Sequence, residues 1–409
     1  MVTFLYWAVV CIVVAEFFYN LALTLLNVKA SRSPIPPVLE GLYDEEKYRR
    51  QQEYSSAKRK LGVASTTAGT LVLLGLFCFG GFGWMDSVVR CVTASPVLQT
   101  IIFFAMYFVI SEVVGLPFAI CSTFRIEERF GFNKTTRKTF VTDQIKNFLL
   151  NLLLQSILFG ACAWIFQKMP QYFWLLAWAV MAVISLFLQY FYSQLIVPLF
   201  NKQTPLEDGE LRSAIESFAS RVGFKIKDIY VMDSSKRSTH ANAYFTGFGP
   251  RKRIVLYDTL IRQLSVDEVV GVLAHEIGHY KRGHIVLNMI TGLAGQLLMF
   301  FLLGLVLGSE SMARAAGCAE ASFHANMLVF SMFYAPIGIV TGILENSLSR
   351  RHERQADAFA KENGCGPAVA SALKKMSAES LANLTPHPAV VFAEYSHPTL
   401  AERVNYLQV

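Results

Sequence analysis

The pentapeptide His275-Glu276-Ile277-Gly278-His279 holds the residues whose types and spacing point most directly to chemistry. Residues four apart share one face of a helix, so His275 and His279 can both reach one zinc ion. Glu276 stands about 100° round the same helix, near enough to take a proton from water at the metal without ligating it. The pattern predicts a catalytic zinc ion, one per chain, with Glu276 as the general base. Such a site needs a third protein ligand and leaves the fourth position to water. The segment Ser349-Arg350-Arg351-His352-Glu353-Arg354-Gln355-Ala356-Asp357 offers an imidazole and two carboxylates. Glu353 and Asp357 are four apart, so one can bind the metal while the other orients a ligand histidine. His352 points to a different face and is the reserve ligand.

These side chains need elements to hold them. Ser265 followed by Glu268 is a capping box, which starts a helix running through Val269, Val270, Leu273 and Ala274 into the motif. Upstream, Asp208 is placed to cap an amphipathic helix to about Val222. Residues 229–232, 243–245 and 254–257 read as short strands, with Gly247, Gly249 and Pro250 as a turn between the last two.

The rest of the chain is bilayer material. Of its 409 residues 53% are hydrophobic and only 16% charged, too few charges for an ordinary soluble globule of this size. Seven apolar runs, 4–26, 61–84, 101–121, 148–166, 173–199, 285–307 and 325–344, are each near the roughly 20 residues that span hydrocarbon as a helix. The first run has its basic residues after it, at Lys29 and Arg32, which fits a retained anchor and not a cleaved signal peptide. Connections one, three and five hold most of the Lys and Arg, whereas two, four and six offer little beyond Arg90, Lys168 and Arg314. The positive-inside rule then puts the N-terminus outside or in the lumen and the C-terminus in the cytoplasm. In a eukaryote the membrane would be that of the endoplasmic reticulum, in a bacterium the inner membrane. A net charge of +7 comes from residues beside membrane spans, where anionic headgroups account for it, so nucleic acid is excluded as a partner. The seven cysteines have no paired spacing and read as small core residues. Among polar residues inside the runs, Glu112 and Glu345 suggest a hydrated interior, while Glu16, Asn20, Gln155, Gln189, Asn288 and Gln296 fit that or interhelical hydrogen bonds equally. His240, His284, His324 and His387 read as ordinary polar residues.

Taken together, "EERFGFNKTT" from Glu127, "PLEDGEL" from Pro205, "SSKRSTHANAYFTGFG" from Ser234, "RIVLYDTLI" from Arg253, "HEIGH" from His275, "SRRHERQADAFA" from Ser349 and "YSHPTLAERV" from Tyr395 resemble the type I CAAX prenyl proteases, integral membrane zinc metalloproteases of the gluzincin group. The resemblance spans nearly the whole chain. It implies Glu353 as third ligand with Asp357 beside the site, His397 and Arg403 near the catalytic centre, and Asn242 and Ala243 on the strand against which a peptide substrate pairs. It also implies an all-α multi-pass fold, seven transmembrane helices in a barrel around a water-filled chamber, with a small α+β zinc-metalloprotease domain. On this reading 1–200 holds five spans, 201–284 the protease segment, 285–346 spans six and seven, and 347–409 the cytoplasmic segment completing the site. The implied reaction removes the last three residues of prenylated Cys-a-a-X proteins. Two other readings stay open: a prenyl-independent quality-control protease of the same chemistry, and a non-enzymatic seven-helix receptor or transporter.

Overall fold

Several of the long helices begin at a short polar side chain that accepts a hydrogen bond from the first turn, and their length is set by the apolar sequence that follows. Asp44, Thr136 and Ser322 accept from the backbone N–H of Lys47, Thr139 and Ala325. The computed structural model describes residues 1–226, 228–246 and 253–408. In chain order its helices are α1 (Val2–Ala30), α2 (Glu45–Cys78), α3 (Gly81–Val92), α4 (Pro96–Cys121), α5 (Arg137–Lys168), α6 (Phe173–Phe191), α7 (Glu210–Arg221), α8 (Asp258–Gln263), α9 (Val266–Lys281), α10 (His284–Val306), α11 (Glu310–Ala315), α12 (Phe323–Glu362), α13 (Gly366–Glu379), α14 (Pro388–Glu394) and α15 (Leu400–Gln408).

Seven of these, α1, α2, α4, α5, α6, α10 and α12, belong to segments long and apolar enough to cross a membrane. They close a ring: α1 packs on α2, α2 on α4, α4 on α5, α5 on α6, α6 on α10, α10 on α12, and α12 back on α1. Within it, a cavity of about 520 Å3 between α1, α2, α4, α5 and α12 has Glu16 and Gln155 in its lining. Gln296 instead donates to Ser185 Oγ at 3.3 Å, an interhelical bond between α10 and α6. Glu112 and Glu345 are exposed, with no ion pair among the described residues. The run 61–84 is not one helix. It breaks at Gly80, whose φ of 73° is strained for any residue with a Cβ, and α3 leaves in a new direction.

Outside the ring lies a four-stranded sheet, β1 (Gln203–Pro205), β2 (Asp228–Met232), β3 (Ala243–Thr246) and β4 (Arg253–Tyr257), in the order β1-β2-β4-β3. β2 and β4 run parallel; the other pairs are antiparallel. The three expected strands are present, and β1 joins as a fourth that the sequence did not signal. The expected turn at Gly247, Gly249 and Pro250 lies outside the described residues. Asp208 does not cap α7: Gly209 takes that position, and Asp208 sits 3.5 Å from Arg212 as a surface ion pair.

The capping box forms as expected, with Ser265 and Glu268 each bonded to the other's backbone N–H. Glu268 also accepts from Ser371 Oγ at 2.7 Å and Lys375 Nζ at 2.9 Å, tying α9 to α13. Ala274 and Ile277 of α9 share one core with Ala360, Val369, Val404 and Leu407. The two segments outside the apolar runs, separated by two spans, therefore pack as one body.

Candidate metal centre and peptide edge

Gly278 decides how close the motif helix comes to α12. A Cβ there would stand 3.0 Å from both Cα and O of Ala356, so only glycine lets the backbones approach this far. That approach sets Glu353, one turn before Ala356, opposite the two histidines. His275 Nε2 and His279 Nε2 are 3.2 Å apart, and they lie 3.3 and 3.2 Å from the two carboxylate oxygens of Glu353. These three are the group able to hold a metal ion among the described residues.

The far sides of both rings show which nitrogen carries the proton. His275 Nδ1 donates to Asp357 Oδ1 at 2.8 Å, leaving Nε2 as a lone pair. Arg403 grips the same carboxylate with two bonds, Nε to Oδ2 at 2.9 Å and NH2 to Oδ1 at 2.8 Å. On the other ring His284 Nε2 donates to Gln355 Oε1 at 2.8 Å, so its Nδ1 accepts from His279 Nδ1 at 3.1 Å. Two imidazole lone pairs and a carboxylate thus converge, and Glu353 Oε2 is buried without a hydrogen bond. Positive charge is required between them, a proton in the free chain or a metal ion in the loaded one. In the free chain burial opposes the charge, yet the bonds to Asp357 and Glu353 lift His275 to about 9. The donor set fits a divalent cation of nitrogen and oxygen preference.

Of the other expected site residues, His397 places Nε2 3.4 Å from Glu353 Oε1 and is largely exposed toward open space. Burial of its neighbourhood lowers its pKa, which keeps it neutral. Arg403 reaches Glu353 Oε2 at 3.4 Å, but its stronger contacts are to Asp357, so it positions as much as it touches. Glu276 is half-buried beside these three and makes no hydrogen bond with another described residue. Burial raises its pKa and the charge of His275 and His279 pulls it back. His352, the reserve ligand, is absent from the cluster; its ring stacks on His284 at 4.1 Å. His240 lies beside Glu127 and Phe132, and His387 caps α14.

β3 is one of the sheet's two edge strands. Tyr257 N donates to Asn242 O at 3.1 Å, so that pair is the hydrogen-bonded one, and the next, Ala243 with Leu256, turns its groups outward. Ala243 therefore points its N–H and C=O to the free edge, where Asn242 Oδ1 accepts from the N–H at 2.8 Å. An extended peptide added there would pair with Ala243.

Two contributors were missed in the sequence: His284, read there as ordinary, and Gln355, to which no role was given. A signal existed, since a histidine opening a membrane span demands a polar partner. His284→Ala is expected to weaken metal affinity by roughly 10 to 100-fold, as loss of a partner behind a ligand does. A chelator competition on the purified chain checks this; unchanged affinity would remove His284 from the site.

Fold and site together define a membrane-embedded metallopeptidase, with paired histidines on one helix and a glutamate on another. Residues 24–202 match the family described as CAAX prenyl protease N-terminal, five membrane helices, and 205–409 match peptidase family M48. The chain belongs to family M48. It is similar to CAAX prenyl protease 1 of Saccharomyces cerevisiae, 35% identical with 96% of this chain and 93% of that one covered. The human CAAX prenyl protease 1 homolog is 33% identical, covering 91% and 88%. The crystal structure of S. mikatae Ste24p superposes with a TM-score of 0.94 at 34% identity, over 99% of each chain. The chain is a multi-pass membrane metalloprotease acting on a peptide or protein.

Proposed function

We propose that this chain is a zinc endopeptidase that removes the C-terminal tripeptide of prenylated Cys-a-a-X proteins. The observation that carries the reading is the convergence of His275, His279 and Glu353 on and beside a motif helix whose Glu276 makes no hydrogen bond with another described residue. The printed names of the relatives support the substrate class. His275, His279 and Glu353 would hold a zinc ion, which would supply Lewis acidity to the scissile carbonyl and the attacking water. Glu276 accepts the proton of that water and delivers it to the leaving amine. Ala243 pairs with the extended peptide through its outward N–H and C=O, Asn242 yielding the bond it makes in the free chain. His397 donates to the oxyanion, and Arg403 holds Asp357 and, through it, the tautomer of His275.

We read 1–200, 201–284, 285–346 and 347–409 as the working divisions, the second and fourth forming one protease body. The basic connections support an outside or lumenal N-terminus and a cytoplasmic C-terminus, hence a site at the cytoplasmic face. Cysteines introduced near Met1 and Met312 should label from outside, and ones near Lys58 and Leu407 only from the cytoplasm; reversed labelling refutes the orientation. For substrate, a farnesylated Cys-a-a-X peptide should be cut far faster than its unlipidated twin. Equal rates would remove the prenyl requirement and leave a general membrane protease.

A further inference from the structure

The catalytic account leaves unused a basic hollow where the end of α1, the middle of α2 and the residues after α4 meet. It measures about 930 Å3, its cations are Arg32, Arg59, Lys60, Arg125 and Arg129, and Glu53 is the only acid in its lining. The neighbouring apolar runs end at Leu26, begin at Leu61 and end at Cys121. All five cations therefore stand within roughly two helical turns of the hydrocarbon edge, at headgroup depth.

Most of these cations lack an acidic partner or hydrogen-bond acceptor among the described residues, a state they share with nearby Lys29 and Arg49 and not with three other neighbours. Outside the hollow, Lys58 meets Glu127 at 2.8 Å, Lys47 meets Glu379 at 3.1 Å, and Arg50 donates to Phe130 O at 2.7 Å. Inside it, only Arg129 has an acid, Glu53 at 3.0 Å, and that pair is largely exposed. The side chains of Arg32, Arg59, Lys60 and Arg125 have no acidic partner and no hydrogen-bond acceptor among the described residues. The positive-inside tendency explains why cations are on this side. It does not explain why four of them face one concavity with a single acid. Phosphate esters complement such a set, through guanidinium forks and ammonium charge.

Arg59 also lines a second, smaller cleft of about 190 Å3 between α1 and α2, where Phe17, Leu21 and Val63 stand beside Asn20, Thr24 and Thr66. This cleft lies deeper along the apolar runs than the basic hollow. A soluble phosphate has no use for it, whereas acyl chains attached to a phosphate at Arg59 would run along Leu21 and Phe17. We infer that the hollow is a binding site for an anionic phospholipid, its phosphorylated headgroup held by Arg32, Arg59, Lys60 and Arg125 and its chains entering the α1–α2 cleft. The inference rests on the chain crossing the bilayer and is independent of the protease substrate.

The test uses the full chain, purified in detergent and freed of lipid, titrated with dioctanoyl phosphatidylinositol bisphosphate under native mass spectrometry. One saturable site is expected. Replacing Arg59, Lys60 and Arg125 together by Gln should weaken binding at least about tenfold, each cation near a lipid phosphate contributing measurably. Replacing Lys134, Arg137 and Lys138 by Gln removes the same charge outside the hollow and should change binding less than about twofold. If the first triple variant does not fold, Arg125→Gln alone should still weaken binding about threefold. Inositol trisphosphate, the headgroup without chains, should bind at least about tenfold more weakly than the lipid. Equal weakening by the two triple variants, or equal binding of lipid and headgroup, overturns the proposal.

Discussion

Glu276→Gln is expected to keep its full complement of metal and its thermal stability while losing about 10²–10⁴-fold in turnover, the range a general base contributes. The geometry separates the two properties. Glu276 is not one of the three groups whose ligand atoms converge, and it makes no hydrogen bond with another described residue. An amide of the same shape fills its place but cannot take a proton from water. Metal content by elemental analysis beside peptide turnover checks this. A variant that retains turnover within about tenfold, or that loses its metal, would contradict the assigned role.

Glu353→Ala should strip the metal almost as severely as His279→Ala, since each removes one of the three proposed ligands, whose atoms lie within 3.3 Å of a neighbour. Asp357→Ala leaves all three ligands but frees the His275 ring and the Arg403 fork, so affinity should fall by roughly 10 to 100-fold. His352→Ala removes only a ring stacked on His284 and should do little. Bound metal measured in the four variants decides it. Full metal in Glu353→Ala, with loss in His352→Ala or Asp357→Ala, would reverse the ligand assignment.

What the sequence made legible follows from the range over which each signal acts. The motif helix could be read to its first residue because a capping box is local, with Ser265 and Glu268 three apart. The spans were legible because apolar length needs no partner. The break at Gly80 was hidden because composition stays apolar through it, and only backbone conformation marks the corner. Residue types alone left Glu353, Asp357 and His352 open as third ligand; the family resemblance favoured Glu353, and the geometry groups Glu353 with the histidines. The His284 and Gln355 contact was out of reach for a different reason: its members are 71 positions apart and meet only after two spans cross the bilayer. His324 also escaped notice. Read as ordinary, it is buried with Nε2 2.7 Å from Asp86, which in turn holds Arg90 at 2.9 Å, away from the metal centre. β1 carries too short a strand, Gln203–Pro205 ending in proline, to announce itself by alternation.

The central claim is that the converging His275, His279 and Glu353 hold one catalytic zinc ion. Elemental analysis of the purified wild-type chain, before and after chelation and again after zinc is returned, tests it most directly when turnover is followed on the same samples. The account predicts about one zinc per chain, activity that vanishes with the metal and activity that returns with it. Full turnover from a chain verified to contain no zinc would contradict it.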